Sequence, residues 1–402
     1  MKTVLFVGAG RNQRRGIARV QELGARVVAV DVNPDAPGLA LADAGEIADF
    51  DVDAVADVGR RHSVDGVLTF ATDRAVPIVA AVAERLGLPG IGSETAHLAT
   101  NKIAMRRRFA ERGVPQPQFA AVRTLHESHS AARTVGFPAV IKPADSAGQR
   151  GLFLVRSEDE LAAQMALTIA ASPSGEAIVE EFEEGREVNT LLVARDGDVR
   201  LVTASDRLRP EGVGFGVGIA HVYPSTLFGD ALAEVERVAV AAVRAIGLRD
   251  GIAYPQLLVL PHDNVVRVVE IAARIPAGQM DEVPRLGVGV DLVEIALKQA
   301  LGEPVPDELV APRFQQPLAV RFLTASPGPL PTGVVESVGP LDKALAFPGV
   351  QRIDTWIQPG ETIRPVQTDG DRRGYVIAVG ETNLEALERA EAAAGLIDVL
   401  TR

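Results

Sequence analysis

Phe137-Pro138-Ala139-Val140-Ile141-Lys142-Pro143, with Ser146-Ala147-Gly148-Gln149-Arg150-Gly151 just after it, is the stretch on which the reading of this chain turns. An apolar strand delivers a lysine to its end, and a loop of small residues follows. Glycines at 148 and 151 let backbone N–H groups approach an anion closely. Two flanking segments complete the pattern. Upstream, Asn101-Lys102-Ile103 sets a second lysine at the start of a short helix that also carries Arg106-Arg107-Arg108 and stops at Gly113 and Pro115. Downstream come Ile178-Val179-Glu180-Glu181-Phe182-Glu183-Glu184-Gly185-Arg186-Glu187-Val188 and then Val268-Val269-Glu270-Ile271-Ala272-Ala273-Arg274. Two lysines offset polyphosphate charge, a strand edge beside Glu180 can hydrogen-bond an adenine, and Glu270 is the kind of oxygen ligand that Mg²⁺ prefers. The order suits a nucleoside triphosphate.

Working outward, the first hundred residues alternate apolar strands with amphipathic helices. Val4–Val7 ends at Gly8-Ala9-Gly10, Val27–Val30 ends at Asp31, and Val67–Phe70 precedes a helix over Val76–Leu86 closed by Gly87. That alternation predicts a doubly wound parallel sheet. Gly8-x-Gly10 with Asp31 also suggests a dinucleotide turn, but the third glycine position of that fingerprint is Gln13. From about residue 139 the strands crowd together, as in an antiparallel or mixed sheet. A helix over Leu232–Ile246 precedes two strands, Tyr254–Leu260 and Val265–Ile271, joined by a turn at 261–264. Between Ser205 and Ser225, Gly212, Gly214, Gly216 and Gly218 alternate before His221 and Tyr223, which predicts a mobile cover. The tail holds strands at Leu318–Leu323 and Tyr375–Val379, then a capping box, Thr382 and Glu385, opening a last helix.

The composition narrows the function classes. The 402 residues suit two or three domains of roughly 150 residues each, and 47% hydrophobic content supplies a core. Lys+Arg 41 against Asp+Glu 53 leaves a net charge of −12, which disfavours nucleic acid or an anionic membrane as partner. Cys 0 removes disulfides and thiol chemistry. The apolar run at the N-terminus is too short for a signal peptide and no later run reaches the ~18 residues of a membrane span. A soluble, cytoplasmic α/β protein is expected.

In order and spacing the motifs resemble the ATP-grasp superfamily, and the resemblance covers nearly the whole chain. Residues 1–98, with Asp-x-Asn-Pro-x-Ala-Pro at 31–37, are similar to its Rossmann-like pre-ATP-grasp domain. Residues 99–312 resemble the ATP-grasp fold itself. Residues 313–402, with Arg321-Phe322-Leu323 and Arg373-Gly374-Tyr375-Val376, are similar to the C-terminal α+β domain of its amino-acid ligases. The resemblance implies that Lys102 and Lys142 contact the α- and β-phosphates and that the loop with Ser146, Gly148, Gln149 and Gly151 closes over the triphosphate. It puts Glu180 at the adenine amino group, the backbone of Glu181 and Glu183 on either side of Phe182 against the base, and Glu187 on the ribose hydroxyls. Glu270 would bridge Mg²⁺ ions and Arg274 would steady the γ-phosphoryl group. His221 is the candidate substrate contact.

Two positions depart from the family pattern. Gln256 stands where an acidic metal ligand is usual, and Ala272 where many members carry Asn. Gln256 can still offer a neutral carbonyl oxygen, but fewer anions weaken a second Mg²⁺, so one or two ions are expected. The implied activity is that of an ADP-forming carboxylate–amine ligase of the acid–amino acid type, making a dipeptide-like amide through an acyl phosphate. Its partners would be ATP, a small carboxylate and an amine, and the resemblance also admits a homodimer. Three rivals remain: a bicarbonate-using carboxylase, tested by bicarbonate-dependent ATP hydrolysis; a weakly catalytic ATP-binding module, suggested by Gln256 and Ala272; and an NAD-dependent oxidoreductase resting on Gly8, Gly10 and Asp31.

Overall fold

The computed structural model describes residues 1–211, 213–261 and 265–402. Gly212 and the 262–264 part of the expected turn lie outside the described residues. Strands β1 (Thr3–Val7), β2 (Arg26–Asp31), β3 (Ala44–Ile47) and β4 (Gly66–Leu68) form a parallel sheet in the order β3-β2-β1-β4. Val4 to Val7 are fully buried because helices lie on both faces. Val4 and Phe6 pack with Ile17 and Val20 of the helix Arg14–Glu22, while Leu5 and Val7 pack with Val55, Val58 and Val82 of the helices Val52–Arg61 and Val76–Leu86. Gly87 ends the last of these at φ 67°, the left-handed cap that glycine adopts without strain. This is the doubly wound unit expected.

Its first turn shows what the Asp31 carboxylate holds. The Asp31 carboxylate accepts from the Ala9 N–H (2.6 Å) and the Asn33 N–H (2.9 Å), and the buried Gln13 side chain donates to the Phe70 carbonyl. Asp31 and Gln13 thus brace the strand ends from within.

Strands β5 (Phe119–Val122), β6 (Ala139–Pro143), β7 (Phe153–Val155) and β8 (Ala177–Glu181) form an antiparallel sheet ordered β5-β8-β6-β7. The helices Leu125–Val135 and Glu158–Ala170 bury Ala131, Ala132, Leu161 and Met165 against it. Lys142 sits near the end of β6, as expected, and the 146–151 loop follows.

The remaining strands in chain order are β9 (Arg186–Arg195), β10 (Asp198–Leu208), β11 (Ala220–Tyr223), β12 (Gly251–Val259), β13 (Val266–Ala272), β14 (Leu318–Phe322), β15 (Gly333–Val338), β16 (Val350–Thr355), β17 (Thr362–Ile363), β18 (Gly374–Val379) and β19 (Val399–Thr401). Eight of them make one sheet, β13-β12-β9-β10-β11-β14-β18-β16. β17, β15 and β19 form a small separate one. The large sheet therefore runs without a break from the Glu270 strand into the C-terminal strands, through the β11–β14 pairing of Ala220 with Arg321 and Tyr223 with Leu318.

One face of the large sheet, with Leu191, Tyr254, Ala272, Phe322 and Tyr375, shares a core with Phe6 and Ile17 of the first unit. The opposite face is covered by two helices. Asp230–Ala245 packs Val235, Val238 and Ala242 on Leu192 and Leu257, and Asn383–Ala394 packs Ala386, Ala390 and Ala393 on Ala319 and Val376. Thr382 caps the latter by accepting from the Glu385 N–H, while the Glu385 carboxylate takes the N–H of Glu381. Among the described residues no helix is long and apolar enough to cross a membrane.

The expected 205–225 cover is corrected in extent. β10 continues to Leu208 and β11 begins at Ala220, so His221 and Tyr223 lie in a buried strand. What remains is a hairpin tip packed against the C-terminal segment. Val217 and Ile219 pack with Val366, and a Cβ on Gly214 would sit 1.8 Å from the Gln367 carbonyl oxygen. Gly214 thus serves close backbone approach, which the alternating pattern alone does not distinguish from a hinge.

Candidate functional site

The residues expected to meet the nucleotide lie around the junction of the antiparallel sheet with the large one, which Arg106 bridges from Glu180 to the Val268 carbonyl. Asn101 caps the helix Lys102–Arg112 by accepting from the Ala104 N–H, which fixes Lys102 at its first turn. Lys102 Nζ donates to the Ser146 carbonyl at 2.7 Å and its N–H to the Ala144 carbonyl, so this lysine holds the root of the 146–151 loop. Gly148, Gln149 and Gly151 all adopt positive φ. The Gln149 amide donates to the Gly216 carbonyl (3.1 Å) and accepts from the Asp369 N–H (3.3 Å), so the loop rests on both the hairpin tip and the C-terminal segment.

Glu180 is almost wholly buried and fully engaged. Its Oε1 accepts from Arg106 Nε (2.7 Å), and its Oε2 from Arg106 Nη2 (3.2 Å) and Lys142 Nζ (2.7 Å). Burial opposes the charged carboxylate, but the two cations outweigh it and hold Glu180 down at about 2. Burial pulls Lys142 below the usual lysine range; Glu180 opposes that pull and Arg106 adds to it. Glu181 accepts from the Gln118 N–H at 3.4 Å. Half-buried Glu183 pairs with Arg267 at 3.1 Å, and burial pushes its carboxyl up. The Phe182 ring lies 6.1 Å from that of Phe215 on the hairpin tip. Glu187 is paired with both Arg207 and Arg209, so the carboxylate assigned to a ribose is held by two guanidinium groups.

The two candidate metal ligands form a row with Asn189. Asn189, Gln256 and Glu270 are direct register neighbours across β9, β12 and β13. β13 carries a bulge there: Gln256 pairs with Glu270 and Leu257 with Val268, leaving Val269 extra. Val268 packs on the helix-covered face and Ala272 on the opposite one, so the bulge is what turns Glu270 to the side of Tyr254 and Gln256. The donor set is one carboxylate and two amide oxygens, and the Asn189 Oδ1 is buried without a hydrogen-bond partner. Such oxygens fit Mg²⁺, though with a single anion; among the described residues no group of three His, Cys, Asp or Glu could hold a metal ion.

Arg274, just past β13, is held by Asp73 of the first unit through two 2.7 Å bonds. His221 is buried in β11, its Nδ1 2.9 Å from the Asn189 amide nitrogen and its ring edge-on to Phe322. Burial, then Arg207 and Arg372, press its pKa well below 6.5. With Nδ1 accepting, the proton is on Nε2, and a Cβ on Gly278 would come within 3.3 Å of that atom. His221 therefore sits beside Asn189 in surroundings that disfavour its protonation.

Several of these partners escaped the reading of the sequence. Asp73 lies 201 positions from Arg274 and no local pattern marks it. Arg106 was visible as the arginine on the buried Ile103–Phe109 face of its helix, and Asn189 as a polar residue in an apolar strand.

Beside this row a cavity of about 400 Å³ opens, lined by Arg11, Arg15, Ile275, Gly278, Arg352 and Trp356 among others. The Arg11 guanidinium lies 4.2 Å over the Trp356 ring.

Comparison with known proteins supplies the family. The model for the carbamoyl-phosphate synthase L chain ATP-binding domain matches residues 100–308, and the ATP-grasp N-terminal domain matches 18–90. This chain belongs to the ATP-grasp superfamily. Members of that superfamily use ATP with Mg²⁺. The L-amino acid ligase C-terminal domain 2 matches residues 322–402. The formate-dependent phosphoribosylglycinamide formyltransferase of Ignicoccus hospitalis is 30% identical over 424 residues, covering 98% of this chain and 96% of its own. Among solved structures, the L-amino acid ligase from Bacillus licheniformis superposes with a TM-score of 0.84 at 20% identity, covering 100% of this chain and 99% of its own. Phosphoribosylglycinamide synthetase from Anaerococcus prevotii gives 0.77 at 20% identity with full coverage of both chains. Both likenesses concern the ATP-grasp fold.

Proposed function

We propose that this ATP-grasp protein is a carboxylate–amine ligase that makes a dipeptide-like amide through an acyl phosphate, releasing ADP and phosphate. The observation that carries the reading is the 400 Å³ cavity, which opens at Ile275, the residue after Arg274. A phosphoryl-transfer centre bordering a separate chamber is what a two-substrate ligation requires. The chamber's mixed lining, Arg11, Arg14, Arg15 and Arg352 with Asp281 and Asp354, suits a small zwitterion. The C-terminal match to an L-amino acid ligase domain supports amino acids as substrates.

In this mechanism a carboxylate oxygen attacks the γ-phosphorus and ADP leaves. The amine then attacks the acyl carbon, loses a proton, and expels phosphate. Lys142 and Lys102 offset the ground-state charge of the polyphosphate, and Arg274, aimed by Asp73, meets the charge that develops in transfer. Glu270, Gln256 and Asn189 would hold Mg²⁺, which when bound neutralises phosphate charge.

A second reading rests on a neighbouring depression of about 480 Å³ that shares Arg11 and Trp356 and adds Arg364, Arg372 and Arg373. That cationic lining suits an amine bearing a phosphate, as the name of the Ignicoccus relative indicates for that protein. Phosphate release from ATP and Mg²⁺ with amino-acid pairs, with formate plus phosphoribosylglycinamide, and with bicarbonate separates the readings. Release with amino-acid pairs is expected. AMP as the stoichiometric product would overturn the mechanism, and tight ATP binding with no ADP under any pair would leave only the binding module.

A further inference from the structure

Among the described residues Arg106 heads the large side chains that are completely buried. A guanidinium has five N–H donors in a rigid fork, and burying it is costly unless they are met. Here one side of the fork holds Glu180, through Nε at 2.7 Å and Nη2 at 3.2 Å. The other side holds two backbone carbonyls, Val268 from Nη1 (2.7 Å) and Val269 from Nη2 (2.8 Å). Those carbonyls belong to the β13 bulge that turns Glu270 toward the site. Glu180 in turn holds Lys142 at 2.7 Å.

We infer that Arg106 is a positioning residue that aims two functional groups at once: Lys142, through Glu180, and Glu270, through the carbonyls of the bulge at Val269. It touches neither group itself. Helix Lys102–Arg112, strand β8 and strand β13 meet at this one guanidinium, so the antiparallel sheet that bears Lys142 and the large sheet that bears Glu270 share a fixed point. A lysine in its place keeps the charge but has one nitrogen and no planar fork, and cannot satisfy a carboxylate and two successive carbonyls together.

The inference rests on the assignment of ATP and Mg²⁺ to this site, and the test separates the two. Calorimetric titration of ATP into the parent, with and without Mg²⁺, comes first; absence of binding there defeats the assignment itself. Arg106→Lys is then expected to weaken ATP binding roughly tenfold or more and to raise the Mg²⁺ concentration needed for half-maximal tightening. Because the residue acts through Lys142, the ATP losses of Arg106→Lys and Lys142→Ala should fall well short of additive in the double variant. The Mg²⁺ shift should likewise be absorbed in an Arg106→Lys, Glu270→Gln pair. Loss of thermal stability alone, with ATP and Mg²⁺ affinities unchanged, would overturn the inference, as would full additivity. If Arg106→Lys yields too little folded protein, Glu180→Gln probes the same clamp from the other side and must show the same coupling to Lys142→Ala; additivity there overturns it equally.

Discussion

Arg274 and Asp73 meet through paired 2.7 Å bonds, Nε to Oδ1 and Nη2 to Oδ2, which fastens a loop of the first unit to the end of the Glu270 strand. The Ala71 N–H, two residues before Asp73, donates to the Ile275 carbonyl, so backbone and side chains make the same junction. Burial opposes both charges, yet each partner holds the other ionised: Asp73 lies below and Arg274 above its ordinary range. Asp73→Asn removes the charge and one acceptor. It should lower kcat about tenfold with little change in ATP affinity, and reduce stability by about 1–3 kcal/mol. Steady-state kinetics beside ATP calorimetry decide; an unchanged kcat would show that Arg274 is aimed without Asp73.

The oxygen row gives the metal prediction. Gln256 lies directly between Asn189 and Glu270 and brings no charge. Gln256→Glu should lower the Mg²⁺ concentration for half-maximal ATP turnover, and Gln256→Leu should raise it or abolish turnover. Metal titrations of the three proteins at saturating ATP provide the check. If Gln256→Leu titrates like the parent, the residue is packing.

The acid limb of stability follows from two depressed groups. Glu180 ionises at about 2 in the folded chain against 4.5 ordinarily, so its stabilisation is whole above about pH 4.5 and drains away as pH falls toward 2. His221 is held neutral, and an unfolded histidine takes up its proton near 6.5, so folding loses ground as pH falls below that value. Denaturant melts from pH 7 to 3 should show the second loss absent in His221→Gln. Glu180→Gln should cost about 3–5 kcal/mol at pH 7 and flatten the limb below 4.5. A parent whose His221 ring protonates near 6.5 by NMR would contradict the buried, neutral assignment.

The hairpin tip carries a backbone prediction. A Cβ on Gly214 meets the Gln367 carbonyl at 1.8 Å, a contact that only movement of the main chain relieves. Gly214→Ala should destabilise by about 1–3 kcal/mol and speed amide exchange over 213–219. In the parent, the Ile219 N–H, bonded to the Leu208 carbonyl, should already be protected without ligand. Rapid exchange there in the parent would restore the mobile cover.

What could be read from the sequence was local. Val76–Leu86 with its Gly87 cap, β6 delivering Lys142 and the Asn101 start of the Lys102 helix each follow from propensity, periodicity and capping within a few residues. What could not be read depends on register and distance. The extra residue at Val269 changes which face Glu270 occupies, and nothing in Val268-Val269-Glu270 announces it. The helix face marks Arg106 as buried, but not what it meets, because its partners lie 74 and 162 positions away. Glu187 looked free to meet a ribose, since Arg207 reaches it only through the β9–β10 pairing.

The β11–β14 ladder bears on how such a protein diversifies. Four consecutive register pairs, Ala220–Arg321 to Tyr223–Leu318, weld the C-terminal strands to the sheet that carries Glu270. The cavity-lining side chains of β16 and β18 can then be replaced while the Glu270 strand, at the far edge, keeps its geometry. Wholesale transplantation of the tail from a relative is more demanding, since the incoming first strand must match four register positions of its host. The permissive crossover point for such a chimera is the strand-free stretch 311–317, and grafts joined inside β14 should misfold where grafts joined there assemble.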